Sequence, residues 1–222
     1  SPLGCVGMFL LGGIFSAQFG MSAIYGVRVG LSVSQISVFV SVIYVSALVA
    51  QYPIGWLSDR IDRRILIMVV GFVGSAGALF AFFVTDDFTI ILLSAAILGG
   101  TSNPLYALLI AYTNDYLERE DMAAASGGLL FINGIGAIAG PLIVGWMMET
   151  LGANGFWMFS SILMFLVGFY ALYRMTRRSR SDLDTDGVSY VAVSSSASPV
   201  LVEVAQEAYV DAEIEEESQA NA

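Results

Sequence analysis

Five charged side chains crowd into one short turn: Asp59, Arg60, Asp62, Arg63 and Arg64, at the end of Gly55-Trp56-Leu57-Ser58-Asp59-Arg60-Ile61-Asp62-Arg63-Arg64. Their chemistry is ion pairing. Asp59 and Arg63 stand i, i+4, so they can pair if the turn is helical. A carboxylate here can also meet the N-terminus of a neighbouring helix, whose free N–H groups and dipole attract an anion. Such a contact forms in one conformation and breaks in another. Basic residues alone would suffice to anchor a turn at a membrane surface, and Asp59 dilutes that charge.

A second set of polar groups is uncharged and lies inside long apolar runs. Gln18, Tyr44, Ser102, Asn103, Tyr106 and Asn133 fall near mid-run, where no Asp, Glu or Arg is found. Around two of them, Gly99-Gly100-Thr101-Ser102-Asn103-Pro104 is broken for a helix, because Pro104 removes a backbone hydrogen bond near Gly100. Carbonyls freed in this way can face a wet cavity, and transporter substrates bind at interrupted, mid-depth helices. The same residues can equally serve as interhelical hydrogen bonds, worth about 0.6 kcal/mol each on average. Gly136 and Gly140 form a GxxxG pair followed by Pro141, a pattern that suits close helix packing or a helix that bends.

Catalytic chemistry is poorly supplied. The chain has no His, one Cys (Cys5) and no Lys. It has no HExxH, Walker or GxSxG pattern, and without His no Ser-His-Asp triad can be built. We expect no enzyme activity, no metal, no cofactor and no nucleic-acid partner.

The elements that position these residues must lie in a bilayer. Of the 222 residues, 57% are hydrophobic and only 13% charged, with a mean hydropathy of +0.77. Soluble domains carry about 25% charged residues, so this chain cannot cover a water-facing surface. The net charge of −10 resides in residues 181–222, which hold ten acids and no base; residues 1–180 are neutral. Six apolar runs, near residues 3–27, 36–57, 65–85, 88–113, 122–148 and 155–175, each approach the ~20 residues that span the hydrocarbon core. Counting through them, eight arginines fall on one side (Arg60, Arg63, Arg64, Arg119, Arg174, Arg177, Arg178, Arg180) and only Arg28 on the other. By the positive-inside rule the eight face the cytoplasm, and both ends of the segment lie there. The expected fold is an all-α membrane protein: a six-helix bundle over residues 1–176, then an acidic, Ser-rich tail over 177–222 whose composition favours disorder.

The turn resembles the G-x-x-x-D-R-x-x-R-R loop signature of the major facilitator superfamily, with Gly55, Asp59, Arg60, Arg63 and Arg64 matching. Asp62 departs from it, standing where the family usually has Gly. Asp tolerates a left-handed backbone better than most residues, and its charge can rewire the local ion pairs. The segments 112–115, 123–128 and 133–141 resemble the YcaD-type bacterial branch. The resemblance implies a C-terminal six-helix half whose loop acts as a conformational latch and which works with an N-terminal half. It also implies alternating-access transport of a small molecule across a bacterial inner membrane. The uncharged mid-run residues favour an exporter. The competing expectation is a six-helix scaffold or receptor that signals through its acidic tail.

Overall fold

A computed structural model describes residues 2–84, 87–117 and 121–177, and within them every regular element is helical. The first span is built from α1 (Pro2–Ser16), a π-helical turn (Ala17–Met21) and α2 (Ser22–Arg28). The other five spans are α3 (Val33–Ser58), α4 (Arg63–Phe83), α5 (Phe88–Asn114), α6 (Met122–Thr150) and α7 (Gly155–Arg177). All six are long and apolar enough to cross a bilayer. Of the expected tail, Arg177 instead ends α7, and residues 178–222, with Arg178 and Arg180, lie outside the described residues, as does Arg119.

Local chemistry explains the boundaries. Ser32 and Gln35 form a reciprocal capping box, so α3 starts at Val33, earlier than hydropathy alone places it. Asp87 accepts a 2.7 Å hydrogen bond from the Thr89 N–H and opens α5. Gly30 and Gly152 take positive φ in the links after α2 and α6, a backbone region open to Gly at no steric cost.

Each of the first three spans packs chiefly on one of the last three: α1 on α6, α3 on α5 and α4 on α7. These seams are closed by missing side chains. A Cβ at Gly71 would lie 2.8 Å from the Gly168 backbone N on α7. One at Gly99 would overlap the Ile43 carbonyl on α3, and one at Gly136 the Phe9 carbonyl on α1. In lipid the helices gain no hydrophobic drive toward each other, so close backbone approach and interhelical hydrogen bonds supply the association. The α4–α7 seam adds such a bond, from Ser161 Oγ to the Ser75 carbonyl at 3.0 Å.

One end of the bundle holds an aromatic cluster of Tyr25, Phe39, Phe156 and Trp157, all fully buried. Tyr25 and Phe156 stack at 5.2 Å, and Phe156 meets Trp157 edge-on at 5.1 Å. At this end Arg28 donates to the Met148 carbonyl at 2.8 Å, a cation on the C-terminal turn of α6. The outer faces of α3 and α6 are broadly apolar and open, with Leu48, Tyr52, Ile138 and Leu142 each about three-quarters exposed.

Candidate functional site

The charged turn is not a continuous helix. α3 ends at Ser58 with Asp59 as its C-cap, and α4 begins at Arg63 after a short turn through Arg60 and Ile61. Asp59 and Arg63 nevertheless come together at 3.8 Å. Arg63 does more than pair with Asp59. Its Nε donates to Ser58 Oγ at 3.1 Å, and its Nη1 donates to the Ala111 carbonyl at 3.5 Å and to the Asp115 carboxylate. Asp115 is the C-cap of α5. One guanidinium therefore ties the end of α3, the start of α4 and the end of α5.

The arrangement leaves Asp59 largely free. Its side chain is 76% exposed, and its contact with Arg63 is long at 3.8 Å. Gly55, one turn earlier, has open space where a Cβ would be. Gly55, Ser58, Asp59 and Arg63 line a cavity of about 230 Å³, faced by Pro104 and Ala111 of α5. Arg60 lies over the Trp56 ring at 3.6 Å, a cation–π contact at the surface.

The odd residue, Asp62, is a helix cap. Its backbone has φ −58° and ψ 119°, not the left-handed conformation that the family's Gly suggests. Its Oδ1 accepts from the Arg64 N–H at 2.8 Å and lies 3.7 Å from Arg64 Nε. Asp is among the best N-cap residues and Gly is a tolerated one, which explains how Asp62 stands in that place. Asp62→Ala should lower stability by about 1 kcal/mol, whereas Asp62→Gly should cost only a few tenths. Thermal melting of the purified protein in detergent checks the difference. The Arg64 side chain itself is buried at the root of α4.

The six mid-depth residues separate into two groups. Gln18, Ser102, Tyr44 and Tyr106 lie along one polar and aromatic belt. Gln18 is 2% exposed and donates from Nε2 to Ser102 Oγ at 2.8 Å. Its Oε1 is buried and has no hydrogen-bond partner among the described residues. Tyr106 meets the Phe15 ring at 6.0 Å, Phe15 meets Phe19 at 5.9 Å, and Phe19 meets Tyr44 at 5.5 Å. Asn103 and Asn133 turn to backbone instead. Asn103 Nδ2 donates to the Gly99 carbonyl of its own helix at 3.3 Å, and Asn133 Nδ2 to the Met8 carbonyl across the α1–α6 seam at 2.9 Å. Both Pro104 and Pro141 sit inside unbroken α-helix. Gly140, like Gly136, faces α1, where a Cβ would lie 3.0 Å from Gly13 Cα.

Sequence reasoning missed three participants. Asp115 carried a signal: a carboxylate at a helix C-terminus opposes the dipole and calls for a cation. Phe15 and Phe19 carried another, an i, i+4 aromatic pair at mid-run. Nothing in the sequence marks the π-turn that holds Gln18.

The profile of the Major Facilitator Superfamily matches residues 3–206. The chain belongs to the major facilitator superfamily. Its relatives in the superfamily include an uncharacterized MFS-type transporter, YcaD, of Escherichia fergusonii, 25% identical over 178 residues, covering 80% of this chain and 44% of the relative. Another is the uncharacterized MFS-type transporter YfkF of Bacillus subtilis (strain 168), 26% identical over 165 residues, covering 70% of this chain and 40% of the relative. A third is the uncharacterized MFS-type transporter Ent638_1421 of Enterobacter sp. (strain 638), 28% identical over 158 residues, covering 68% and 39%. The chain thus spans about two fifths of the length of these superfamily relatives.

Proposed function

We propose that this bundle is one of two six-helix halves of a secondary transporter, working by alternating access and carrying a small molecule outward across a bacterial inner membrane. The greater length of the relatives supports the second half. The apolar open faces of α3 and α6 suit its packing, and the belt from Gln18 to Tyr106 suits the substrate. The arginine-rich end, with Arg60, Arg63 and Arg64 on the α3–α4 turn and Arg174 near the end of α7, is the cytoplasmic one.

The observation that carries the latch is the division of labour between Arg63 and Asp59. Arg63 is spent inside the bundle on Ser58, Ala111 and Asp115, and ties the turn to the end of α5. Asp59 is left pointing outward beside an open Gly55. A helix N-terminus from the other half fits that carboxylate in one state and leaves it in the other. A charge at a helix end contributes about 0.3–1 kcal/mol, up to ~2 when partly buried. That is enough to shift the balance of two states severalfold.

Two assays test the reading. A deletion strain challenged with a compound panel should over-accumulate at least one compound that the restored gene expels; a flat panel argues against export. In the full-length protein, Asp59→Asn should slow transport of that compound about three- to tenfold while membrane insertion stays normal. Unchanged kinetics would end the latch assignment.

A further inference from the structure

The belt around Gln18 has a chemistry of its own. The Tyr106, Phe15, Phe19 and Tyr44 rings follow one another across α5, the first span and α3 at 5.5–6.0 Å. The chain of rings does not close. Phe19 is 60% exposed and Tyr44 38% exposed. Tyr normally sits at the membrane–water interface, where its hydroxyl is wet, yet Tyr44 lies midway along α3. An exposed phenol at that depth is poorly placed against hydrocarbon and well placed on a wet path.

Gln18 adjoins this platform on the π-turn Ala17–Met21. Single π-turns inside α-helices occur frequently at functional sites. Here the turn seats Gln18 against α5, where Nε2 is used on Ser102 and Oε1 has no partner among the described residues. A buried amide oxygen left unpaired is unfavourable, so Oε1 is an acceptor open to a donor that the described residues do not supply. No Asp, Glu or Arg lies near the middle of any span. A carboxylate or phosphate brought here would be stripped of water with no cation from this bundle to meet it. A ring face, by contrast, attracts cations as well as other rings.

We infer that this belt binds planar aromatic compounds, neutral or singly cationic, that carry an N–H or O–H donor: the ring extends the open end at Phe19 and Tyr44, and the donor reaches Gln18 Oε1. This rests on the transport reading above and names its substrate class.

Two dyes serve as probes. Rhodamine 6G is a planar cation with two N–H donors; tetramethylrhodamine methyl ester is a similar cation with none. Fluorescence anisotropy on the purified full-length protein should show rhodamine 6G binding at least fivefold more tightly. Phe19→Ala and Tyr44→Ala should each weaken both dyes about tenfold, because each removes one ring face from the platform. Gln18→Leu should weaken rhodamine 6G about tenfold and leave the other dye within about twofold. Equal affinity of the unaltered protein for the two dyes overturns the role of Gln18 without any variant having to fold. Failure of both dyes to bind, or indifference to Phe19→Ala, overturns the aromatic class. If neither dye binds while the deletion strain accumulates a non-aromatic solute, the class is wrong and transport stands. If the dyes bind as expected but reconstituted vesicles do not move them, transport is wrong and the binding site stands.

Discussion

Arg63→Ala should cut transport by the full-length protein at least tenfold while leaving it in the membrane. The side chain holds three helix ends at once, through Ser58, Asp59, Ala111 and Asp115. An isolated surface ion pair contributes only about 0–1 kcal/mol, so a single lost pair would not be felt. Arg63 differs in being largely shielded and multiply bonded. Its removal strands the carboxylate of Asp115 at the negative end of α5 and frees the α3–α4 turn that carries Asp59. About 1.4 kcal/mol of lost bias is a tenfold change in a two-state balance. Lys in its place should restore only part of the rate, because a point charge cannot reproduce the guanidinium fork. Asp115→Asn should cost less than Arg63→Ala, because Ser58, Ala111 and Asp59 remain. Arg63→Ala transporting at the normal rate would show that the hub has no part in the cycle.

Gly136→Leu should be the most damaging change to folding. Even a single Cβ there overlaps the Phe9 carbonyl, and the backbone of a packed helix cannot yield as a flexible side chain does. Overpacking costs typically 1–3 kcal/mol. For a domain of this size that is roughly 2–12 °C in melting temperature, and a collision with backbone belongs at the upper end. The loss should appear as a lower melting point and an aggregated elution profile in detergent. Gly134→Ala is the control, because a Cβ at that position meets nothing within 4 Å. Equal melting of Gly136→Leu and the unaltered protein would mean that α1 and α6 do not approach as closely as described.

The largest features were legible because they depend on composition and on alternation along the chain. Six apolar runs of spanning length, separated by polar breaks, permit little else in a bilayer, where every backbone group must bond within its own segment. The turn from Asp59 to Arg64 was equally plain, since five charges between two apolar runs have no place in hydrocarbon. Boundaries were less clear. Hydropathy cannot see that Ser32 and Gln35 bond each other's backbone, nor that Asp87 opens a helix.

The amino-acid sequence by itself determined the spans, the charge asymmetry between the two ends, and which polar residues lie at mid-depth. Only the tertiary structure decided what those residues do, because partners in a bundle are distant in the chain. Arg63 finds Asp115 fifty-two residues away, and Gln18 finds Ser102 eighty-four away. Asn133, which shares mid-depth with them, is turned instead to the Met8 carbonyl by the close α1–α6 seam that Gly12 and Gly136 allow. Residue type could not separate these fates: Gln18 and Asn133 bond what the crossing of two helices brings within reach, Asn103 turns back to its own helix, and packing sets which of these happens.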